Sequence, residues 1–346
     1  MTVPRWNGGA WMTANAKLDT TVAWIAGIDV GGTKTLFCLA SEDGRIGGKR
    51  KLDTRLSRDP KSFMEWLFAE LEQFCQAHGT GLSELTGVGI GFPGVMNEQT
   101  GILSSAPALD WPAEDIRPWI AHNYKGIVVL DNDVNMAALG EQCKGAAAGC
   151  DHFIMITVGT GIGGALYLNG QLYKGATFSA GEIGYFVIEM DRETLSAGQS
   201  GVLERFGALE NQASGTGIAL QAARCMEDGE LCPVLSLQAA GGPVTAKHVF
   251  AAAEEGSQIA AHVLDRAYHL MAVAIANLTI TLNPQLVVLG GGVVEKNAEY
   301  AGELAKRVSA LSPVAVDIRK AALGNEAGAT GAVEAIRRAL GRKCLK

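Results

Sequence analysis

Acidic residues set among small ones are the clearest chemical signal in this chain. Asp131-Asn132-Asp133-Val134-Asn135 stands where a strand ends and a helix begins. A carboxylate at such a place can cap the helix. It can also take the proton from a hydroxyl that attacks a phosphate. Asp133 is the candidate for either role. Asn132 has both donor and acceptor atoms, as polyol recognition requires. Glu182 lies in the apolar stretch Ala180-Gly181-Glu182-Ile183-Gly184-Tyr185. A carboxylate there either binds a donor-rich ligand or pairs with an internal cation.

Glycine-rich turns supply the second signal. Gly27-Ile28-Asp29-Val30-Gly31-Gly32-Thr33-Lys34-Thr35 reads as a strand, a tight turn and a returning strand. Val158-Gly159-Thr160-Gly161-Ile162-Gly163-Gly164 repeats that pattern. Backbone N–H groups in such turns can form a nest for phosphate oxygens, with the Thr33 hydroxyl as a further donor. Asp29, at the strand end, can hold Mg²⁺ through water. The first turn is not a P-loop, because Thr33 occupies the lysine position of that motif. The second is not a dinucleotide-binding turn, because a strand follows it where that motif needs a helix. A third segment, Asn283 to Val293, ends a buried strand in Gly290-Gly291-Gly292. Without side chains, that backbone can lie against a flat adenine and ribose.

The elements that must position these residues follow from periodicity. Ala23 to Val30 and Lys34 to Ala40 form one hairpin, with a third strand around Arg45 to Thr54. Pro60 opens a helix in which Phe63, Trp66, Leu67, Leu71 and Phe74 recur at helical spacing and belong to the core. Leu85 to Phe92 and Gly126 to Leu130 read as strands, and the second leads into a helix over 134–145. Asp151 to Val158 and Ile162 to Leu168 form a second hairpin. Helices are expected around 202–226, 245–282 and 329–340, with a strand at Gln285 to Leu289. Each half thus opens on a strand, a Gly/Thr turn and a second strand, which suggests two similar lobes.

Bulk properties narrow the partners. The chain has 346 residues, enough for two cores. Lys and Arg total 29 against 36 Asp and Glu, a formal net charge of -7. Nucleic-acid binding needs a basic surface, so it is not expected. Among the seven cysteines no CxxC pair occurs, which fits reduced thiols in a cytoplasmic protein. No uncharged apolar run is long enough to predict a membrane span. Residues 1–22 lack the apolar core of a signal peptide and are expected to be a disordered extension.

Taken together, these motifs resemble the ROK family (repressors, open reading frames and kinases) of the actin-like ATPase superfamily, from about Ile25 to about Ala335. IDVGGTKT resembles its first phosphate motif. VGTGIGGALYLNGQLYKGATFSAGEIG resembles its second phosphate and sugar-contact segments. DNDVN resembles its catalytic segment, and LGGGV its adenosine motif. The resemblance implies an α/β fold of the two-lobe, ribonuclease H-like type with a central cleft. Residues 23–133 with the C-terminal helix 329–346 would make the small lobe and residues 134–328 the large one. It further implies ATP-dependent phosphorylation of a hexose, with glucose the default sugar. Asp133 would be the base. Asn132, Asp133, Glu182, Tyr185 and Glu204 would contact the sugar. Gly31, Gly32, Thr33, Lys34, Gly159, Thr160, Gly161, Gly290, Gly291 and Gly292 would hold ATP, and Asp29 the Mg²⁺. A homodimer without nucleic-acid or membrane partners is expected.

Two departures from the family pattern fall in the sugar half. Family glucokinases carry a zinc site of one His and three Cys, whereas the matching positions here are Tyr185, Leu195, Ala197 and Val202. No zinc is therefore expected. The family motif PNLxW reads Pro107-Ala108-Leu109-Asp110-Trp111, so Ala108 lacks the sugar-binding amide. These changes leave an N-acyl hexosamine, fructose or allose open as the acceptor. The family also contains sugar-sensing repressors. Their DNA-binding module precedes the first phosphate motif, where this sequence has only residues 1–22.

Overall fold

A computed structural model describes residues 11–12, 23–104, 106, 108–189, 207–227, 235 and 242–341. Two compact units emerge. The first comprises Met1–Gly149, Leu172–Ala180 and Asn325–Lys346, and the second Cys150–Gln171 and Gly181–Gly324.

The first unit is built on a six-stranded sheet. Its chain begins with β1 (Trp11–Met12), β2 (Trp24–Val30), β3 (Lys34–Ser41) and β4 (Ile46–Asp53). Helix α1 (Pro60–Ala77) leads to β5 (Leu85–Phe92). A small antiparallel sheet follows, of β6 (Val95–Asn97), β7 (Ile102–Ser104) and β8 (Glu114–Asp115). Helix α2 (Arg117–Asn123), β9 (Ile127–Asn132) and α3 (Asp133–Lys144) complete this run. The main sheet has the order β1-β4-β3-β2-β5-β9, with β2, β5 and β9 parallel. β1 pairs with β4, so Trp11 and Met12 depart from the expected disordered extension.

The alternation in β5 shows why this sheet has two different faces. Val88, Ile90 and Phe92 point into one apolar core with Phe63, Leu67 and Phe74 of α1. Gly87, Gly89 and Gly91 point the other way, where helices come close. A Cβ at Gly89 would overlap the Ala332 carbonyl of the C-terminal helix (Ala327–Ala339). That helix fills a smaller core with Ile25, Leu36 and Cys38. It also packs along α3, where a Cβ at Gly331 would overlap the Met136 carbonyl. This packing explains a difference from the sequence boundary at residue 133: α3 and the chain to Gly149 belong with the first unit.

The second unit has its own hairpin of β10 (Phe153–Val158) and β11 (Ile162–Leu168), registered Phe153↔Tyr167 to Val158↔Ile162. A short strand β12 (Gln171–Tyr173) lies at the sheet edge. β13 (Leu286–Gly290) runs parallel to β10, and β14 (Asp317–Lys320) parallel to β13. Leu286 to Leu289 are all buried, as a central parallel strand requires. The region read as one helix over 245–282 is two, Ala246–Glu254 and Gln258–Leu282, because Gly256 turns the chain at φ 88° and Ser257 caps the second. By length and composition Gln258–Leu282 could cross a membrane. Here it buries Val263, Ala267, Leu270, Met271 and Ile275 in the unit's core.

Candidate active site

The parallel strands bring the first group of candidates to one level. Asp29 of β2 registers with Gly91 of β5, which registers with Asp131 of β9. Neighbouring strands lie about 4.8 Å apart, so two acidic residues stand roughly 10 Å from each other across a glycine. These are the carboxyl ends of the strands, where open α/β sheets bind their ligands.

Asp29 is half-buried, and desolvation pushes its carboxyl up to about 6, with Lys51 acting against the rise. A Cβ at Gly328, in the first turn of the C-terminal helix, would come 2.5 Å from the Asp29 Cγ, so the glycine makes room for the acid. Among the described residues no cluster of three His, Cys, Asp or Glu could hold a metal. Mg²⁺ does not need one: it is usually held by one or two carboxylates, water and substrate phosphates. A lone carboxylate disfavoured by burial, beside a glycine turn, suits that arrangement. The turn itself is closed by Gly31 N–H to the Lys34 carbonyl at 2.9 Å and braced by the Thr54 hydroxyl on the Gly31 carbonyl at 2.7 Å. Thr33 is exposed at its tip. Lys34 is exposed too and pairs with Asp53. Gly32 lies against Ala108.

At the start of α3 the structure divides two roles that the sequence left together. Asn132, not Asp133, is the N-cap: its Oδ1 accepts from Val134 N–H at 2.8 Å and Asn135 N–H at 3.1 Å. Its Nδ2 donates to the Gly94 carbonyl at 2.9 Å. The acceptor expected for a sugar is thus used by the helix, and one amide hydrogen remains. Asp133 is the first helical residue, with Oδ1 2.9 Å from Val134 N–H.

In the second unit the glycine segments converge. Gly291, at φ 90°, lies so close to Val158 that a Cβ would come 2.6 Å from its carbonyl oxygen. Gly215 N–H donates to the Gly159 carbonyl at 2.8 Å, and Thr216 N–H to that of Thr160 at 3.3 Å. The turn Gly159-Thr160-Gly161 is therefore bordered by Gly290–Gly292 and by Gly215-Thr216, a neighbour that the sequence reading missed.

Glu182 has a partner that was also missed. Burial raises its carboxyl above the ordinary value, and the nearby Glu210 carboxylate raises it further. Glu210 is likewise raised by burial, opposed by Ile162 N–H, which donates to its Oε2 at 3.3 Å. Tyr185 is exposed at the surface beside both acids, which add to the rise that partial burial gives its phenol. Glycines make this packing possible. Cβ atoms at Gly161 and Gly184 would each come 2.9 Å from a Glu210 carboxylate oxygen. Glu204 lies outside the described residues, as do Leu195, Ala197 and Val202. A signal for Glu210 was present: Gly201-Val-Leu-Glu204 recurs as Gly207-Ala-Leu-Glu210. The segment 185–210 holds no Cys or His, whichever copy supplies the acid.

Two glycine-turn hairpins, each on its own mixed sheet, place the protein in the actin-like ATPase fold class. A ROK glucokinase from Streptomyces griseus, solved with glucose and AMPPNP, matches it with a TM-score of 0.74 at 26% identity, over 91% of this chain and 100% of that one. The chain belongs to the ROK family, whose profile matches residues 25–339. It is 33% identical to a glucokinase of Halalkalibacterium halodurans over 89% of this chain and 93% of the relative. It is 30% identical to a glucokinase of Thermotoga maritima over 92% and 98%.

Proposed function

We propose that the protein transfers the γ-phosphoryl group of ATP to a hydroxyl of a hexose, with glucose the first candidate. The observation that carries this reading is the pair Glu182 and Glu210. Among the described residues no cation offsets either acid. Two carboxylates of that kind suit a neutral ligand rich in hydroxyl donors, and Tyr185 offers a flat face and a hydroxyl beside them.

Asp133 takes the proton from the attacking hydroxyl, which makes the oxygen a better nucleophile as the bond to phosphorus forms. Asn132 holds the first turn of α3 by capping it and has an amide hydrogen left for the sugar. Backbone N–H groups of the turns at Gly31–Lys34 and Gly159–Gly161 cradle phosphate oxygens. Gly290–Gly292 lies against the nucleoside. Asp29 would hold Mg²⁺ through water, and the ion would supply positive charge to offset that of the transferring phosphates. The active form is taken to be a homodimer acting on small molecules.

A coupled assay with MgATP over glucose, N-acetylhexosamines, fructose and allose tests this reading. Turnover of glucose or one of its relatives, lost on removal of Mg²⁺, is expected. Sugar binding without turnover of any member would overturn it in favour of a sugar-responsive regulator.

A further inference from the structure

Lys174 belongs to none of the roles above, yet it sits in the acidic end of the first unit. Its ammonium lies 2.6 Å from Asp131 Oδ2 and also pairs with Glu98. Asp131 is 4% exposed and the Lys174 side chain 19%, whereas Glu98 is 42% exposed. The other Asp131 oxygen, Oδ1, accepts from the Asn132 backbone N–H and from Asn135 Nδ2, both at 2.8 Å. One buried carboxylate thus joins the end of β9, the first turn of α3 and the segment after β12. Between the two residues it bonds, Asn132 and Asn135, lies Asp133, proposed above as the base.

A buried ion pair is poor evidence for stability alone, because an apolar replacement of the same volume often does as well. Removing only one partner is different: it strands a charge away from water. Without Lys174 the Asp131 carboxylate would gain most by turning toward solvent, and its two hydrogen bonds to Asn132 and Asn135 would go with it. The backbone that aims Asp133 would lose its brace. The segment that carries Lys174 is itself closed, by Ala180 N–H on the Lys174 carbonyl at 3.1 Å, so its own loop holds the backbone from which the side chain reaches Asp131.

We propose that Lys174 is a positioning residue for phosphoryl transfer, acting through Asp131 to fix the backbone of residues 132–135 and hence the aim of Asp133. This rests on the reading of Asp133 as the base. Three variants of the full-length protein test it: Lys174→Met, Lys174→Arg and Glu98→Gln. Lys174→Met should lower kcat by roughly 10- to 100-fold while the KM for ATP moves less than about 3-fold, because the loss is one of alignment. Lys174→Arg keeps the charge and should recover most of that loss. Glu98→Gln, which removes the exposed partner, should stay within about 2-fold of wild type. Hydrogen exchange of the peptide spanning residues 131–136 should speed up in Lys174→Met and not in Glu98→Gln. Near-normal kcat in Lys174→Met overturns the inference. So does a loss that arginine does not rescue and that comes without faster exchange at 131–136. Should the wild type phosphorylate no sugar, the functional reading fails by itself. The exchange measurement then decides alone, and unchanged exchange in Lys174→Met refutes the brace.

Discussion

The two units treat their partly or wholly buried acids in opposite ways. In the first, Asp131 is satisfied: Lys174 neutralises it, and two N–H groups occupy its other oxygen. In the second, burial disfavours the charge on Glu182 and on Glu210, and the Glu210 carboxylate disfavours that on Glu182 further. A paired acid holds structure. Two acids to which the described residues offer no cation carry a free-energy cost until something with hydroxyl or N–H donors reaches them. The contrast separates a bracing carboxylate from two that are proposed to bind the sugar, although sequence alone shows all three as acids beside small residues. Asp133 falls between, next to the brace but not the cap.

Replacing Asp133 should break the first unit's function most severely. Asp133→Asn keeps the shape and one acceptor but removes the proposed base, and kcat should fall at least ~10²-fold with sugar affinity little changed. Because Asn132 caps α3, the thermal midpoint should hardly move. A near-normal kcat, or a large drop in the midpoint, would turn Asp133 into a structural residue. Asp29→Asn should come next, with kcat lowered ~10-fold or more and partly restored by raised Mg²⁺. If the Mg²⁺ response of that variant matches wild type, Asp29 has no part in holding the ion.

The second unit should answer in KM. Glu182→Gln and Glu210→Gln should each raise the sugar KM about 10-fold or more and leave the ATP KM within about 3-fold, since charged hydrogen bonds to a ligand are the stronger kind. Glu204→Gln should do much less, and a reversed order would return the role to the first Gly-x-Leu-Glu stretch. The raised carboxyls also give a pH signature. Sugar hydroxyls are best accepted by the ionised forms, so the wild-type sugar KM should climb as pH falls toward 5, earlier than ordinary carboxylates would cause. A flat sugar KM from pH 8 to 5 would mean that these acids do not contact the sugar.

What the sequence revealed was local. The hairpins at Gly31–Lys34 and Gly159–Gly161, the alternation in β5 and the strand-to-helix junction at Asp131–Asn135 each fit within a few residues, where spacing carries the information. Asp29, Asp133 and Glu182 could be proposed as site residues for that reason. Lys174 was not, because its meaning lies in an ion pair with Asp131 that only the folded chain creates. The cap was ambiguous because Asn132 and Asp133 are both competent, and a one-residue difference in the helix start decides between them. Glu210 was hidden by a repeated pattern, and Gly215 by backbone hydrogen bonds that no side chain announces.

The smallest effect sharpens the contrast in stability. A carboxyl whose folded-state pKa is raised binds its proton more tightly in the folded protein than in the unfolded chain. Its contribution is fully present below the unfolded value, near 4.3 for an ordinary Glu, and is lost as pH rises through the folded value. Above that window the ionised Glu210 is a cost. Glutamine keeps an acceptor for Ile162 N–H and never ionises. Glu210→Gln should therefore melt on the order of 1–3 °C above wild type at pH 8, with the gain shrinking toward zero at pH 4. Asp131→Asn should do the reverse at pH 8, since it removes the buried partner of the Lys174 ammonium and leaves Glu98 as its ion-pair partner among the described residues. Thermal melts of both variants across pH 4 to 8 make the measurement. If Glu210→Gln is less stable than wild type at pH 8, the acid is held by a favourable partner, and the unit's two carboxylates are bracing residues like Asp131.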